Sequence, residues 1–412
     1  MNYQEAISYI HQTPKFSREL GNRLLLKLLS HCNHPQERLQ CIHIAGTNGK
    51  GSTAIMLSEM LRHAGYRVGL FISPYIERFN ERIQINGEPI PDEKLAEIIT
   101  HLKELIEIHD APVSEFALDT ATAFCWFEEQ KVDIVVLETG LGGRLDATNI
   151  ISKNLVSVLC SIGLDHTQYL GTTYKAISKE KCGIIKERCP VVCYPLQHDD
   201  AMETIAETAL QKNAPLYVAD IPFKSERGIV LNENEYALGL EGDYQGFNAA
   251  TAYKTIEVLR SQGYQISDDA VKKGLQSARN PARFEWFGDK IILDGAHNPA
   301  AIQSLCDSLA KMQKPIWFCT AMMEDKDYRS CISILKKYAS GMVVTQLDMP
   351  RCCQAEILKQ GLIHEGMEEV YAVPDPIDAI KTACSLAEDD AVICICGSLY
   401  LAGMVRPYLQ TL

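Results

Sequence analysis

The stretch I-H-I-A-G-T-N-G-K-G-S (42–52) constrains this chain more than any other. Ile42, Ile44 and Ala45 form a short apolar run of strand type. Gly46, Gly49 and Gly51 then make a glycine-rich turn, and Ser52 opens a helical pattern that stops at Gly65. A strand feeding a glycine loop and then a helix is the setting in which a phosphate-loop match acquires a mechanism. Glycines let the backbone curl until several N–H groups point at one anion, and the helix N-terminus adds its positive end. Lys50 is placed to reach the outer phosphates, and the Ser52 hydroxyl to sit on magnesium. The spacing differs from the usual G-x-x-x-x-G-K-[ST] by one glycine, Gly51, between Lys50 and Ser52. The plainer alternative is a surface turn capping an ordinary helix. Lysine, serine, strand and helix together favour a nucleotide-binding loop.

A chain of 412 residues has room for two domains, or three. Its 46% hydrophobic and 23% charged content is that of a soluble globular protein. A net charge of −13 argues against broad nucleic-acid or membrane-surface binding, so an anionic substrate must meet locally concentrated positive charge. The fifteen cysteines are scattered, and the close pairs Cys352–Cys353 and Cys394/Cys396 lack metal-finger spacing. With no signal peptide read at the N-terminus, reduced thiols in a cytoplasm are expected. Apolar runs such as 391–396 are too short to span a bilayer.

Residues 1–40 read as helical, with Leu20, Leu24 and Leu28 at turn spacing. A second strand is expected at 68–73, then a polar loop or hairpin over 75–91 and helices at 92–109 and 114–130. Residues 132–138 are almost wholly apolar, as in a strand buried on both faces of a parallel sheet. Further strands are expected at 155–162 and 191–195, with helical 174–186 between them. Short strands and turns fill 216–240, and helices follow at 248–261 and 268–278. After the break at Asn280–Pro281 the strand–helix alternation resumes, with strands at 290–293, 316–321, 342–347, 370–373 and 391–396. The expected fold is therefore α/β. A P-loop, doubly wound, mostly parallel sheet domain occupies 1–281, and a smaller Rossmann-like α/β domain occupies 282–412.

Ligands of open α/β sheets sit at the carboxyl ends of strands. Ser73, Glu138 and His166 stand at or just beyond such ends. Glu138 leaves a buried strand and precedes T-G-L-G-G-R-L-D-A-T-N, where a carboxylate can hold magnesium. His166 taken alone reads as structural, and with the other two it reads as a second metal ligand. The segment S-K-E-K-C-G-I-I-K (178–186) puts three lysines on an expected helix, by default a solvated charged face.

The chain resembles the folylpolyglutamate synthase/dihydrofolate synthase family, relatives of the Mur ligases. The resemblance rests on an ordered series of motifs. These are A-G-T-N-G-K-G-S (45–52), S-P-Y-I-E-R-F-N-E-R-I (73–83), E-T-G-L-G-G-R-L-D-A-T-N (138–149), D-H (165–166) and E-K-C-G-I-I-K (180–186). Q-x-x-N-A-A (245–250), P-A-R-F-E (281–285), D-G-A-H-N-P (294–299) and G-S-L-Y-L-A-G (397–403) complete it.

The resemblance implies that Asn48, Gly49, Lys50, Gly51 and Ser52 bind the ATP phosphates. It puts Ser73, Glu138 and His166 with Ser52 around two magnesium ions. Lys181 matches a lysine that the family carries as a carbamate, a magnesium ligand whose amine must first be neutral; Lys179 and the metal site would lower its pKa. Asn248, Arg283 and Asp294 match positions that hold ATP from the far side of the cleft, with His297 in the same loop. Phe116, Asp146 and Ala147 fall where the family places the pterin ring. Two departures stand out: Ala117 and Asp119 in S-E-F-A-L-D-T (114–120), in place of a glutamate and an apolar residue, and Tyr244 in place of a histidine.

The implied reaction is ATP-dependent amide ligation between a folate or dihydropteroate and L-glutamate through an acyl phosphate, with Lys50, Glu138, His166 and Lys181 as its catalytic set. A monomer is expected, and closure of 282–412 over the phosphate loop would exclude water. A cell-wall Mur ligase would need another domain ahead of the loop, and the 45 residues before Gly46 are fewer than an ordinary domain. A non-catalytic nucleotide switch would keep 46–52 but would not need Glu138, His166, Lys181 and D-G-A-H-N-P together.

Overall fold

The computed structural model describes residues 1–15, 21–226 and 228–412. They fall into two compact units, one of residues 1–239 and 246–278, the other of residues 240–245 and 279–412. Leu20 of the expected N-terminal helix lies outside the described residues.

The first unit opens with helices α1 (Tyr3–Gln12) and α2 (Arg23–Ser30). Strand β1 (Cys41–Ala45) then leads into helix α3 (Lys50–His63), and β2 (Val68–Phe71) follows. The polar segment after β2 forms the hairpin β3 (Ile83–Ile85) and β4 (Glu88–Pro89), which extends the sheet antiparallel to β2. Helices α4 (Asp92–His109) and α5 (Glu115–Glu129) precede β5 (Ile134–Glu138) and β6 (Val156–Leu159). Helices α6 (Thr167–Leu170) and α7 (Tyr174–Lys181), strand β7 (Val191–Cys193), helix α8 (Asp199–Gln211) and strand β8 (Leu216–Val218) complete the large sheet.

Its order is β4-β3-β2-β5-β1-β6-β7-β8, parallel from β2 to β8. From β1 the chain runs first to one side (β2, then back to β5) and later to the other (β6 to β8). The switch point is at β1, where an open α/β sheet leaves its crevice. Every residue of β1, β2, β5 and β6 is buried, as the near-continuous apolar runs require of strands covered on both faces.

A small antiparallel sheet of β9 (Phe223–Ser225), β10 (Gly228–Leu231) and β11 (Asn234–Ala237) precedes helices α9 (Asp243–Ser261) and α10 (Asp268–Ser277). The sequence places the start of α9 at Asn248, five residues late. Gly246 sits inside the helix, where its bare Cα lets Ile229 approach. Of the expected helix over 174–186, the α-helical part ends at Lys181 and continues as a 3-10 turn over Cys182–Ile184, with Gly183 packed against the backbone of Arg144.

The second unit is a six-stranded sheet. Strand β12 (Glu285–Phe287) pairs antiparallel with β13 (Ile291–Leu293). Strands β14 (Ile316–Thr320), β15 (Gly341–Val344), β16 (Val370–Ala372) and β17 (Val392–Cys396) are parallel to β13, in the order β12-β13-β17-β14-β15-β16. Helices α11 (Pro299–Ala310), α12 (Tyr328–Tyr338), α13 (Ala355–His364), α14 (Pro376–Leu386) and α15 (Leu399–Leu409) alternate with these strands. The edge strand β12 is absent from the sequence reading, its three residues being part of a motif rather than of an apolar run. Among the described residues no helix is long and apolar enough to cross a membrane.

Helix α10 supports α3 through a close contact: a Cβ built on Gly274 would lie 2.5 Å from Met60 backbone atoms. Gly274→Leu should therefore destabilise the protein by about 1–3 kcal/mol despite leucine's better helix propensity. Urea unfolding of the two proteins measures the loss, and an unchanged midpoint would show that the helices separate freely.

Candidate active site

The phosphate loop leaves β1 at its carboxyl end and is shaped by glycines at two close approaches. Gly46 faces Cys160, where a Cβ would come within 2.7 Å of the cysteine Cβ. Gly49 has φ +84° and faces the Asn248 side chain, whose Oδ1 would be 2.3 Å from a Cβ there. The loop is tied to the segment after β6: Thr47 N–H donates to Ser161 O at 2.7 Å, and the Thr47 hydroxyl bonds to Gly163 O at 3.0 Å. Lys50 and Gly51 begin α3, and Ser52 is buried in its first turn.

Charged side chains gather at this end of the sheet. Glu138, the last residue of β5, is buried, with its Oε1 3.7 Å from Lys50 Nζ. Its Oε2 accepts the Ser73 N–H at 3.1 Å, which brings Ser73, two residues past β2, onto the same carboxylate. Lys181, the last residue of α7, is also buried and donates from Nζ to Gly46 O at 2.7 Å. Burial pushes the Lys181 pKa down to about 7, and the Lys50 charge adds to the fall. The default reading of this lysine as part of a solvated face is thus overturned. So is the choice of Lys179 as the neighbouring cation, since Lys50 is the one that acts on Lys181.

His166 is exposed, in a left-handed backbone conformation at the start of α6. Its neighbour Asp165 is, with Asp146, an acid whose charge reaches Lys181. Asn248 lies on α9 against Gly49, in the same unit as the phosphate loop; an expected place across a cleft does not describe it. Arg283, Asp294 and His297 belong to the second unit. There the buried Asp294 accepts from Tyr244 O–H, Phe284 N–H and Ala296 N–H, each at 2.8 Å. Burial and the adjacent Asp294 charge raise the Tyr244 phenol well above its ordinary value, so it stays a donor. His297 pairs through Nδ1 with Gly295 O at 2.8 Å.

The loop after Glu138 runs beside Phe116. A Cβ on Gly140 would sit 2.6 Å from the Phe116 ring, which also packs on Phe71 with centroids 5.6 Å apart. Asp146 and Ala147 are buried at the end of the same loop. One turn beyond Phe116, the departure at Asp119 faces Arg82 of the S-P-Y-I-E-R-F-N-E-R-I motif, Oδ2 to Nε 3.8 Å. The guanidinium stacks over Tyr75 and Phe79, 5.2 and 5.6 Å from their centroids. Neither Asp119 oxygen has a hydrogen-bond partner among the described residues. The sequence reading passed over Arg82 because one arginine in a polar segment gives no sign that it is nearly buried.

Two family models match: the Mur ligase middle domain over residues 44–257, and the Mur ligase, glutamate ligase domain over 282–399. The chain is 35% identical over 433 aligned positions to the dihydrofolate synthase/folylpolyglutamate synthase of Bacillus subtilis (strain 168), covering 99% of both. The Mycobacterium tuberculosis folylpolyglutamate synthase complexed with ADP shares its structure at a TM-score of 0.89 with 28% identity, over 99% of this chain and 98% of that one. E. coli FolC in complex with DHPP and ADP gives a TM-score of 0.89 with 28% identity, over 100% and 98%.

Burial raises the Asp119 pKa to about 7, opposed by Arg82 and aided by Glu115. Its unfolded value is about 3.9, so the folded state holds the proton more tightly. Asp119 thus makes stability fall as pH rises from about 4 to about 7, with no further change above. In Asp119→Asn this slope should vanish, so the variant gains on the wild type across that window. Chemical denaturation at pH 4, 5.5, 7 and 8 tests it; parallel curves would refute the raised pKa.

Proposed function

The chain belongs to the Mur ligase family, among the folylpolyglutamate synthases and dihydrofolate synthases, and from that premise we propose how its residues join L-glutamate to a folate at the expense of ATP. The observation that carries the reading is the buried cluster at the phosphate loop, with Lys181 on Gly46 O and Lys50 beside Glu138.

The loop N–H groups of Asn48–Ser52 and the start of α3 take the ATP phosphates. Lys50 neutralises charge on the outer phosphate while a folate carboxylate attacks it. The P–O bond to ADP breaks as the carboxylate–phosphorus bond forms, giving an acyl phosphate. The uncharged amine of L-glutamate then attacks the acyl carbon, the C–O bond to phosphate breaks, and the amine proton is lost. Phosphate turns a poor leaving oxygen into a good one. Fixed donors aimed at the developing charge supply the main catalytic term in such sites.

Ser52, Ser73, Glu138, His166 and Lys181 are the residues proposed to hold two magnesium ions. The donor chemistry fits: hydroxyls and a buried carboxylate are hard oxygen ligands, suited to a cation that keeps waters and substrate phosphates in its shell. Among the described residues no group of three or more His, Cys, Asp or Glu side chains could hold a metal, and the proposed set draws on hydroxyls and Lys181 beside Glu138 and His166. When bound, magnesium supplies charge neutralisation for the phosphoryl group. Lys181 suits carbamate formation, because a buried amine with pKa about 7 is substantially neutral near neutral pH. The free amine adds to carbon dioxide, a C–N bond forms and a proton leaves, turning a cation into an oxygen ligand.

Phe116, Asp146 and Ala147 are proposed to meet the pteridine, and Asn248 with Arg283 and Asp294 the rest of the nucleotide. His297 is proposed as a further substrate contact. Either tetrahydrofolate or dihydropteroate fits this chemistry, since both end in the carboxylate that is activated. All fifteen cysteines are free thiols, which supports a cytoplasmic place. A monomer that takes L-glutamate as its second substrate is the state proposed.

Offered ATP, L-glutamate and each pteridine in turn, the purified protein should release phosphate only with both co-substrates, and mass spectrometry should find a product one glutamate heavier. Release indifferent to both would favour a nucleotide switch. Lys50→Ala should lose ATP-dependent turnover by a factor of about 100 or more, and an unchanged rate would remove the phosphate-loop assignment. Lys181→Ala should abolish ligation with the fold intact, and added acetate or formate should restore part of it. Wild-type turnover in that variant would end the carbamate proposal.

A further inference from the structure

Strand β1 contains a side chain that the chemistry above does not use. His43 lies between Ile42 and Ile44 with no solvent exposure, flanked by Leu137 of β5 and Ser157 of β6. Burial, with a smaller push from Lys186, lowers its pKa to about 3, so the imidazole is neutral and has one N–H. Nε2 is 2.8 Å from Thr148 Oγ1, and that hydroxyl is 2.5 Å from Asp146 Oδ1. Asp146 Oδ1 also accepts the Thr148 N–H at 3.0 Å, and Oδ2 accepts the Leu141 N–H at 2.8 Å. Burial raises the Asp146 carboxyl, and these donors oppose the rise by favouring the charged acceptor.

The proton directions then follow. With Asp146 ionised, as the backbone N–H donors on both its oxygens favour, the Thr148 hydroxyl donates to it and the hydroxyl oxygen accepts from His43. The imidazole proton is on Nε2, which leaves Nδ1 buried with no hydrogen-bond partner. An orphaned acceptor in the middle of a parallel sheet is costly, and valine or isoleucine would suit the position better. What histidine adds there is the donor.

We propose that His43 is a positioning residue for the folate substrate: its Nε2–H, relayed through the Thr148 hydroxyl, fixes the Asp146 carboxylate and joins the strand that feeds the phosphate loop to the loop that meets the pteridine. This rests on the reading of Asp146 and Ala147 as pteridine contacts. The link is short, since His43 is three residues before Gly46 and Thr148 two residues after Asp146.

Thr148→Val removes the hydroxyl at nearly constant shape, His43→Leu removes the donor, and His43→Gln keeps an N–H. For each variant, KM is measured for tetrahydrofolate, dihydropteroate and ATP, with Tm alongside. Thr148→Val and His43→Leu should each raise the KM of the pteridine that is turned over by about ten-fold, with the KM for ATP within about two-fold. Their combination should add little, as expected of residues in one relay. His43→Gln should recover most of the loss. Thr148→Val with an unchanged pteridine KM, or with both KM values rising together as Tm falls, would overturn the proposal. So would a His43 ring that titrates near 6.5 by nitrogen-15 NMR, or one that has its proton on Nδ1. Asp146→Ala separates this idea from its premise. An unchanged pteridine KM there removes the pteridine assignment and the relay with it, whereas a raised one with Thr148→Val silent removes the relay alone.

Discussion

A buried amine held against the first carbonyl of the phosphate loop is the interaction on which the rest of the first unit depends. Lys181 reaches Gly46 O from the end of α7, and Lys50 stands near enough to lower its pKa. Two like charges in one buried place are tolerable only if one is lost or an anion intervenes. The protein supplies both routes: burial brings the Lys181 pKa toward neutrality, and Glu138 lies 3.7 Å from Lys50. The arrangement also needs backbones to approach closely. Gly143 faces the carbonyl oxygens of Lys181 and Glu180, where a Cβ would come within 2.7 Å, so the loop after Glu138 can lie on the end of α7. The glycines of A-G-T-N-G-K-G-S and T-G-L-G-G-R are there for contact as much as for conformation.

The sheet strands were legible because buried parallel strands read as continuous apolar runs: of the expected 132–138, residues 134–138 form a wholly buried strand, while Val132 and Asp133 precede it. The phosphate loop was legible because its strand, glycines, lysine and helix are contiguous. What could not be read was any fact that depends on residues distant in sequence. Lys181 sits among lysines that look like a solvated face, and only the fold shows that it is buried against a carbonyl 135 positions earlier. Nothing local to Q-x-x-N says that Asn248 packs on Gly49.

Departures from the family pattern fall where the structure gives them partners. Tyr244 donates to Asp294, and Asp119 faces Arg82 beneath Tyr75 and Phe79. Their surroundings differ in one respect that decides their energetics. Burial raises the Asp294 carboxyl, and Arg283 with three hydrogen-bond donors opposes the rise. Asp119 has a cation at ion-pair distance and no hydrogen bond among the described residues, so its proton competes with Arg82. Burial raises both carboxyls, and they differ in what opposes the rise: Arg283 and several donors at Asp294, Arg82 at Asp119.

Seen together, the buried polar groups divide by what satisfies them. Glu138, Lys181, Asp146 and Asp294 each have hydrogen-bond partners in the protein. Groups fixed in this way need little reorganisation when charge develops nearby, which is what preorganised electrostatics requires. That fixing costs stability, because each could be replaced by an apolar residue that packs without desolvating a charge. The wholly buried strands of both sheets offset it, their apolar area being the large favourable quantity in a chain of this size. The polar cluster can therefore persist at the carboxyl end of β1 and β5 because the sheet beneath it is mostly apolar, with His43 and Ser157 as buried polar residues within it.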